Sequence, residues 1–232
     1  MSHPFMSHPP IDLSQVRRSF ASGKSLWRAL MNAHVANIQL EQPILDLGAG
    51  AIGTASYHSL IPYFETLQVY SVDINDSKNP TKTADIEQGI PFEANTFRSC
   101  LAFNLFEHLY EYEKVMREVW RVLAVGGTLY LAVPFLMRVH ADPSDYFRYT
   151  AYTLERALSR VGFSDIAITP CGSGVLTAAL SQVDFLVPGF VRGLALRVAL
   201  GGDGLITRRS SGKYRNANDY PLGYFVTARK PN

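Results

Sequence analysis

Residues 44–50 read Ile44-Leu45-Asp46-Leu47-Gly48-Ala49-Gly50. A short apolar run closed by glycines is the pattern of a buried parallel strand that ends in a tight turn. Glycine lets the backbone turn sharply there and lets a ligand come close to the main chain. In open α/β sheets, ligands sit outside the carboxyl ends of the strands. Gly48, Ala49 and Gly50 are therefore candidate ligand-binding residues. Asp46 puts a carboxylate at the same strand end, which suits an ammonium group better than a phosphate.

Working outward, residues 13–37 carry Val16, Phe20, Leu26, Leu30, Met31 and Val35 at helical spacing, which predicts one or two helices leading into the sheet. Downstream, residues 54–64 are expected to form a helix that Pro62 cuts short. Further strands are expected at 67–73, 82–86, 97–104, 128–133, 164–169 and 222–228. A strong amphipathic helix is expected at 111–123 with Gly126-Gly127 as its stop, and another at 151–161 between Thr150 as N-cap and Gly162 as C-terminal stop. Residues 174–200 are apolar and helical in pattern, broken at Pro188-Gly189, and 201–221 read as a mobile Gly, Arg, Ser and Asn-rich segment. Strands alternating with helices predict an α/β fold with a mostly parallel sheet and helices on both faces. The chain divides into a loose tail at 1–12 and a single domain over 13–232. Within that domain, 134–150 form an active-site loop and 174–220 a helical insertion before the last strand.

The chain has 232 residues, 47% of them hydrophobic and 18% charged, as expected of a globular α/β domain. A formal net charge of +2 is too small to argue for nucleic acid as a partner. Cys100 and Cys171 show no CxxC spacing, so neither a disulfide framework nor a zinc site is expected and a cytoplasmic setting fits. The opening MSHPFMSHPP has no basic region followed by an apolar run, so a signal peptide is not expected.

Asp73 ends the expected second strand, in Val69-Tyr70-Ser71-Val72-Asp73-Ile74. An acid at that place can accept both hydroxyls of a ribose, with Ile74 packed on a base. Gly48, Gly50 and Gly53 also satisfy GxGxxG, a weak pattern alone, which leaves an NAD-dependent oxidoreductase as an alternative. Asp46 weighs against it, because an acid beside the turn would repel a pyrophosphate.

These stretches resemble the class I S-adenosylmethionine (SAM) dependent methyltransferases over roughly residues 40–165 plus the last strand. ILDLGAG is similar to the family's first motif and VYSVDIN to its second. Ala84-Asp85-Ile86 is similar to its third, which implies that Asp85 and the Ile86 N–H hold the adenine edge. Asn104-Leu105-Phe106-Glu107-His108-Leu109 resembles the stretch beside the methionine end, and Arg121 to Gly127 the family's "RVLxxGG" turn. The chain departs from the pattern at Ile52, where the family often has a glycine, and in a fourth strand without the usual aspartate. The resemblance implies a Rossmann-like seven-stranded sheet with six parallel strands and an antiparallel last one. It also implies SAM as cofactor and methyl transfer as the reaction. A non-catalytic SAM or nucleoside-binding module is the second alternative.

The loop Pro134–Thr150 is dense in polar and aromatic residues, and it resembles a methyltransferase subgroup with an H-x-x-P-x-D-Y-x-R-Y-T loop. Members of that subgroup imply a small-molecule, sugar or glycolipid acceptor, with O-methylation favoured. A hydroxyl acceptor must lose its proton, and imidazole titrates in the right range, so His140 is the candidate base with His108 as a second. Asp145 would orient His140 or pair with Arg148. Tyr146, Arg148 and Tyr149 are candidate acceptor-binding residues. The bland alternative is that Asp145 and Arg148 only pin the loop, and that Glu107 and His108 cap a helix. His140, Asp142 and Asp145 also offer ligand atoms, but loop acids are common without an ion, and no metal is expected. Residues 174–200 are expected to cap the site or form a homodimer surface. The sharper alternative is peripheral contact with the inner membrane face, with Arg208, Arg209, Lys213 and Arg215 meeting anionic groups.

Overall fold

The structure, a computed structural model, describes residues 10–209 and 218–231. Two helices open the chain, α1 (Leu13–Ala21) and α2 (Leu26–Val35), each started by a side-chain cap from Asp12 or Ser25. Next come β1 (Ile44–Leu47), β2 (Val69–Asp73), β3 (Lys82–Thr83) and β4 (Phe97–Phe103). They are followed by α3 (Tyr112–Val122), β5 (Leu123–Pro134), α4 (Ala151–Val161), β6 (Ser164–Cys171), α5 (Val175–Val183), α6 (Gly189–Arg209) and β7 (Gly223–Arg229). The strands form one sheet in the order β3-β2-β1-β4-β5-β7-β6. β7 runs antiparallel to both its neighbours, and the other pairings are parallel. The expected six parallel strands and one antiparallel strand are what the chain builds.

Because the central strands are covered on both faces, alternate residues enter two cores. Leu45 and Leu47 pack with α3 and α4 through Val119, Val122, Leu154 and Leu158. Ile44 and Phe103 pack on the other face against Phe20, Trp27 and Met31 of α1 and α2. α4 starts where Thr150 Oγ1 accepts the Thr153 N–H and ends at Gly162, whose φ of +111° suits a left-handed stop.

Three expectations need correction. Residues 54–64 form no α-helix but 3₁₀ turns at His58–Leu60 and Phe64–Thr66, because side chains there fold back onto β1 instead of forming an outward amphipathic face. Gly126-Gly127 does not separate a helix from a strand; β5 runs straight through it. A Cβ at Gly127 would lie 2.8 Å from the Ala124 carbonyl oxygen and 3.1 Å from that of Phe97, so only glycine lets the strand pass that close. Residues 201–209 are not a loop but the last turns of α6. Asp203 points inward from them, and both its oxygens accept from the amino end of α5: Leu176 N–H at 2.8 Å, Thr177 N–H at 3.0 Å, and the Thr177 hydroxyl. α5 has no side-chain cap of its own, so α6 supplies one across the helix pair. Most of the expected 1–12 tail, and Lys213 and Arg215, lie outside the described residues.

Candidate active site

The carboxyl ends of β1, β2 and β4 open into a cavity of about 550 Å³. Its wall collects Gly48, Asp73, Ile74, Asp85, Ile86 and Asn104, all expected from the sequence to face a cofactor, and then His108, Asp142 and Tyr146. Gly48 has φ +73°, and a Cβ on it would lie 2.9 Å from Leu105 Cδ1, inside the space the turn leaves free. Asp73 accepts the Asn75 N–H at Oδ1 (2.9 Å), while Oδ2 has only the half-exposed Lys78 ammonium at 3.5 Å. Ile74 presents an exposed apolar side chain on the same wall. Asp85 closes a turn by accepting the Glu87 N–H at 2.9 Å. Asn104 sits at φ +51°, with Oδ1 accepting Trp27 Nε1–H (2.7 Å) and Nδ2 donating to Met31 Sδ (3.2 Å). That ties the end of β4 to α2. Ala49 and Gly50 stand behind Gly48 and do not reach the wall; Ala49 packs on the core beneath α1 and α2.

Asp46 also stands apart from the cavity. Its side chain leaves β1 on the α2 face, where it is fully buried, and burial pushes its carboxyl upward. Tyr57 OH donates to Oδ1 and His58 Nε2 lies on Oδ2, both at 2.7 Å. The Gly53 N–H donates to His58 Nδ1 (3.0 Å), so the imidazole proton sits on Nε2 and is given to Asp46. Sequence reasoning missed both partners. Their signal, a Tyr-His pair in the segment after the glycine turn, reads as helix surface until the segment is seen to fold inward.

At the other end of the cavity, the 3₁₀ turn Phe106–His108 meets the 134–150 loop. His108 Nδ1 lies 2.5 Å from the Ser144 carbonyl oxygen, and His140 Nδ1 lies 3.1 Å from that of Arg138. The two rings stand edge to face, 5.1 Å apart. Asp145 forms a bidentate pair with Arg148 (2.5 and 2.7 Å) and accepts the His140 backbone N–H at 2.8 Å. The guanidinium holds the Asp145 carboxyl down at about 2. Tyr146 lines the cavity, but Arg148 is spent on Asp145 and on backbone carbonyls. Tyr149 is buried, and its OH donates to the Phe106 carbonyl (2.9 Å). Those two therefore brace the loop against the turn.

Glu107, absent from the sequence-derived site, lies between the imidazoles. It is fully buried and caps no helix; among the described residues neither carboxyl oxygen has a hydrogen-bond partner. Burial pushes its carboxyl up to about 8. The only sequence signal was an acid beside His108 on the turn that faces the His140 loop.

A doubly covered parallel sheet with acids at successive strand ends around a glycine turn defines the class: a Rossmann-like domain for a nucleoside-bearing cofactor. Residues 45–131 match the methyltransferase domain family, and the fold is shared with SAM-dependent methyltransferases of known structure. Among solved structures it is similar to phosphoethanolamine N-methyltransferase 2 of Haemonchus contortus in complex with SAM, at 15% identity and TM-score 0.52. That match covers 93% of this chain but 56% of the nematode chain, so this chain spans little more than half of that protein. A SAM-dependent methyltransferase from Archaeoglobus fulgidus matches at 14% identity over 94% of this chain and all of its own, with TM-score 0.55. The [4+2]-cyclase SpnF matches at 16% identity over 100% and 87% of the two chains, with TM-score 0.53. Comparison with curated protein sequences gives no match.

The wall residues fit SAM. The side-chain-free cradle at Gly48, the carboxylates of Asp73 and Asp85 and the apolar face of Ile74 suit an adenosine. The acid expected to meet the ammonium, Asp46, is engaged elsewhere.

Proposed function

We propose that residues 13–232 act as one domain that methylates a hydroxyl oxygen of a small-molecule, sugar or glycolipid acceptor. The observation that carries this reading is one cavity whose wall runs from Asp73, Ile74 and Asp85 past Gly48 to His108 and Tyr146. SAM, when bound, supplies an electrophilic methyl group on a sulfonium. Asp73 would hold the ribose, Ile74 the adenine face, and Asp85 with the Ile86 N–H its edge. His108 and His140 share the far end with Glu107, where a proton leaving the acceptor has basic nitrogens in reach. Asp145 holds the His140 backbone, and Tyr146 would bound the acceptor.

A dinucleotide is disfavoured because no α-helix follows the glycine turn, and the helix N-terminus that would receive a pyrophosphate is missing from it. Peripheral contact with a membrane face is supported by the apolar side chains exposed along α5 and α6, and the cytoplasmic setting stays the one expected from the cysteine usage.

Calorimetry on Gly48→Val and Asp73→Ala should show SAM affinity lowered at least about tenfold, or about 1.4 kcal/mol. Parent affinity in both would refute the assigned site. Labelled SAM incubated with fractionated host metabolites and lipids should yield a labelled product, and His140→Ala should lower that yield while SAM affinity stays. SAM binding without any labelled product would favour a binding module, and the likeness to a cyclase shows that this fold hosts other chemistry.

A further inference from the structure

Both histidines at the far end of the cavity are held in the same way. Each lies with Nδ1 on a backbone carbonyl, Ser144 for His108 and Arg138 for His140. A carbonyl only accepts, so Nδ1 carries the proton and Nε2 presents a lone pair. Both Nε2 atoms face the same acceptor, Glu107 Oε1, at 3.8 Å from His108 and 3.9 Å from His140. Three groups with free electron pairs thus converge around one point. One of them is a fully buried carboxyl with no hydrogen-bond partner among the described residues.

A buried carboxyl without a partner is costly, and native structures seldom leave one unexplained. As the side chains stand no proton is shared, because separations of 3.8 and 3.9 Å exceed hydrogen-bond reach. A cation between the three groups would give the carboxyl its partner. Metal–ligand bonds of about 2.0–2.1 Å at tetrahedral angles put donor atoms about 3.4 Å apart. The three ligand atoms already lie within 4.8 Å of one another, so small side-chain rotations would close them around an ion. The carbonyls on Nδ1 are the outer contacts that orient metal-binding imidazoles, and Asp145 adds a carboxylate 3.5 Å from His140 Nδ1. His108 lines the cofactor cavity and the His140 side chain is 34% exposed, so the ion would keep open positions toward ligand and solvent.

We infer that Glu107, His108 and His140 form a site for a divalent first-row transition ion, bound through Glu107 Oε1 and the two Nε2 atoms. Two imidazoles and one carboxylate with free positions are the ligand set of ions such as zinc and iron(II). This departs from the expectation of no metal. Of the three loop residues that offered ligand atoms, only His140 takes part: among the described residues it groups with Glu107 and His108 and not with Asp142 and Asp145. The ion's use rests on the methyl-transfer reading: it would hold the acceptor oxygen beside the cavity, and because both Nε2 lone pairs are then taken as ligands, the acceptor proton would leave to solvent in place of an imidazole. The site itself rests on the three side chains.

The test uses the tag-free full chain, stripped with chelator and titrated with Co²⁺ or Zn²⁺ alone, without SAM or acceptor. One ion per chain should bind by calorimetry, and Co²⁺ should develop visible ligand-field absorption. His108→Ala, His140→Ala and Glu107→Gln should each weaken binding by about 10- to 100-fold or more, with circular dichroism confirming that the fold is kept. If Glu107→Gln fails to fold, the two histidine variants decide. No binding to the parent chain, or parent affinity in the histidine variants, overturns the inference. Loss of SAM binding in Asp73→Ala is read separately, so failure of the cofactor assignment leaves the ion result standing, and the reverse.

Discussion

Asp46 has a carboxylate, no exposed surface and two neutral hydrogen-bond partners, so it acts as a tie between β1 and the turns at 57–58. Asp46→Ala would strand the Tyr57 hydroxyl and the His58 Nε2–H in the core. Each unsatisfied group costs about 1–3 kcal/mol, so denaturant unfolding should show a loss of about 2–4 kcal/mol. Asp46→Asn keeps one acceptor and should lose roughly half as much. An unfolding midpoint in Asp46→Ala equal to that of the parent would show that the tie carries no stability. The position of Asp46 at a strand end was readable from the ILDLG run, but its facing was not. β1 is covered on both sides, so hydropathy does not tell the two faces apart. The facing depends on Tyr57 and His58, whose inward fold has no periodicity to announce it. Glu107 was missed for a related reason: its meaning comes from His140, brought to it by the return of a long loop.

Single side chains also decide how whole elements pack. α3 sends Glu118 against Arg121, one turn on (2.7 and 2.8 Å), and both then grip the 90–92 segment that follows the Asp85 turn. Glu118 accepts the Ile90 N–H, and Arg121 donates to the carbonyls of Ile90 and Phe92. The Arg121 guanidinium holds the Glu118 carboxyl below its usual range. A depressed carboxyl contributes stability that is full above the unfolded pKa of about 4.3 and fades as pH falls through the folded value. Thermal midpoints measured from pH 6 downward should fall less steeply in Glu118→Gln than in the parent; identical slopes would remove the pair from the acid limb. α5 and α6 depend in the same way on Asp203. Asp203→Ala leaves the amino end of α5 without its donated cap and should cost about 2–4 kcal/mol, reckoned from buried charge-assisted bonds. Gly201 offers the contrast, because a Cβ there meets nothing within 4 Å. Gly201→Ala should gain up to about 1 kcal/mol from helix propensity. If both variants unfold like the parent, α6 does not end as described. Glycine density normally marks loops, which is why the sequence predicts a mobile segment over 201–221. Here Gly202 lets Leu176 approach, since its Cβ would lie 2.3 Å from Leu176 Cδ1.

Across the whole molecule, the alternation of apolar runs with amphipathic stretches was enough to read a mostly parallel sheet with a ligand edge at its carboxyl ends, whereas the antiparallel last strand came only from the family resemblance. What it could not separate was a helix that covers core from one that leaves an apolar face uncovered. α6 buries Leu196, Ala199 and Asp203 while Phe190, Leu194 and Val198, four residues apart, lie exposed on one stripe; Phe190 is 91% exposed. The turn before it adds Phe185 and Leu186. No described helix is long and apolar enough to cross a membrane. An exposed apolar ridge with Arg208 and Arg209 at the last turn of its helix instead suits insertion into the surface of an anionic bilayer. The full chain should therefore co-sediment with vesicles containing anionic lipid, and less with neutral ones. Replacing Phe190 and Leu194 by Ser removes two anchors on one stripe. At about 1.5–3 kcal/mol for each fully buried side chain, their loss should weaken binding at least about tenfold. A chain that stays in the supernatant with both vesicle types, yet sediments as a dimer that the same double variant dissociates, would assign the ridge to a second copy and overturn the membrane reading.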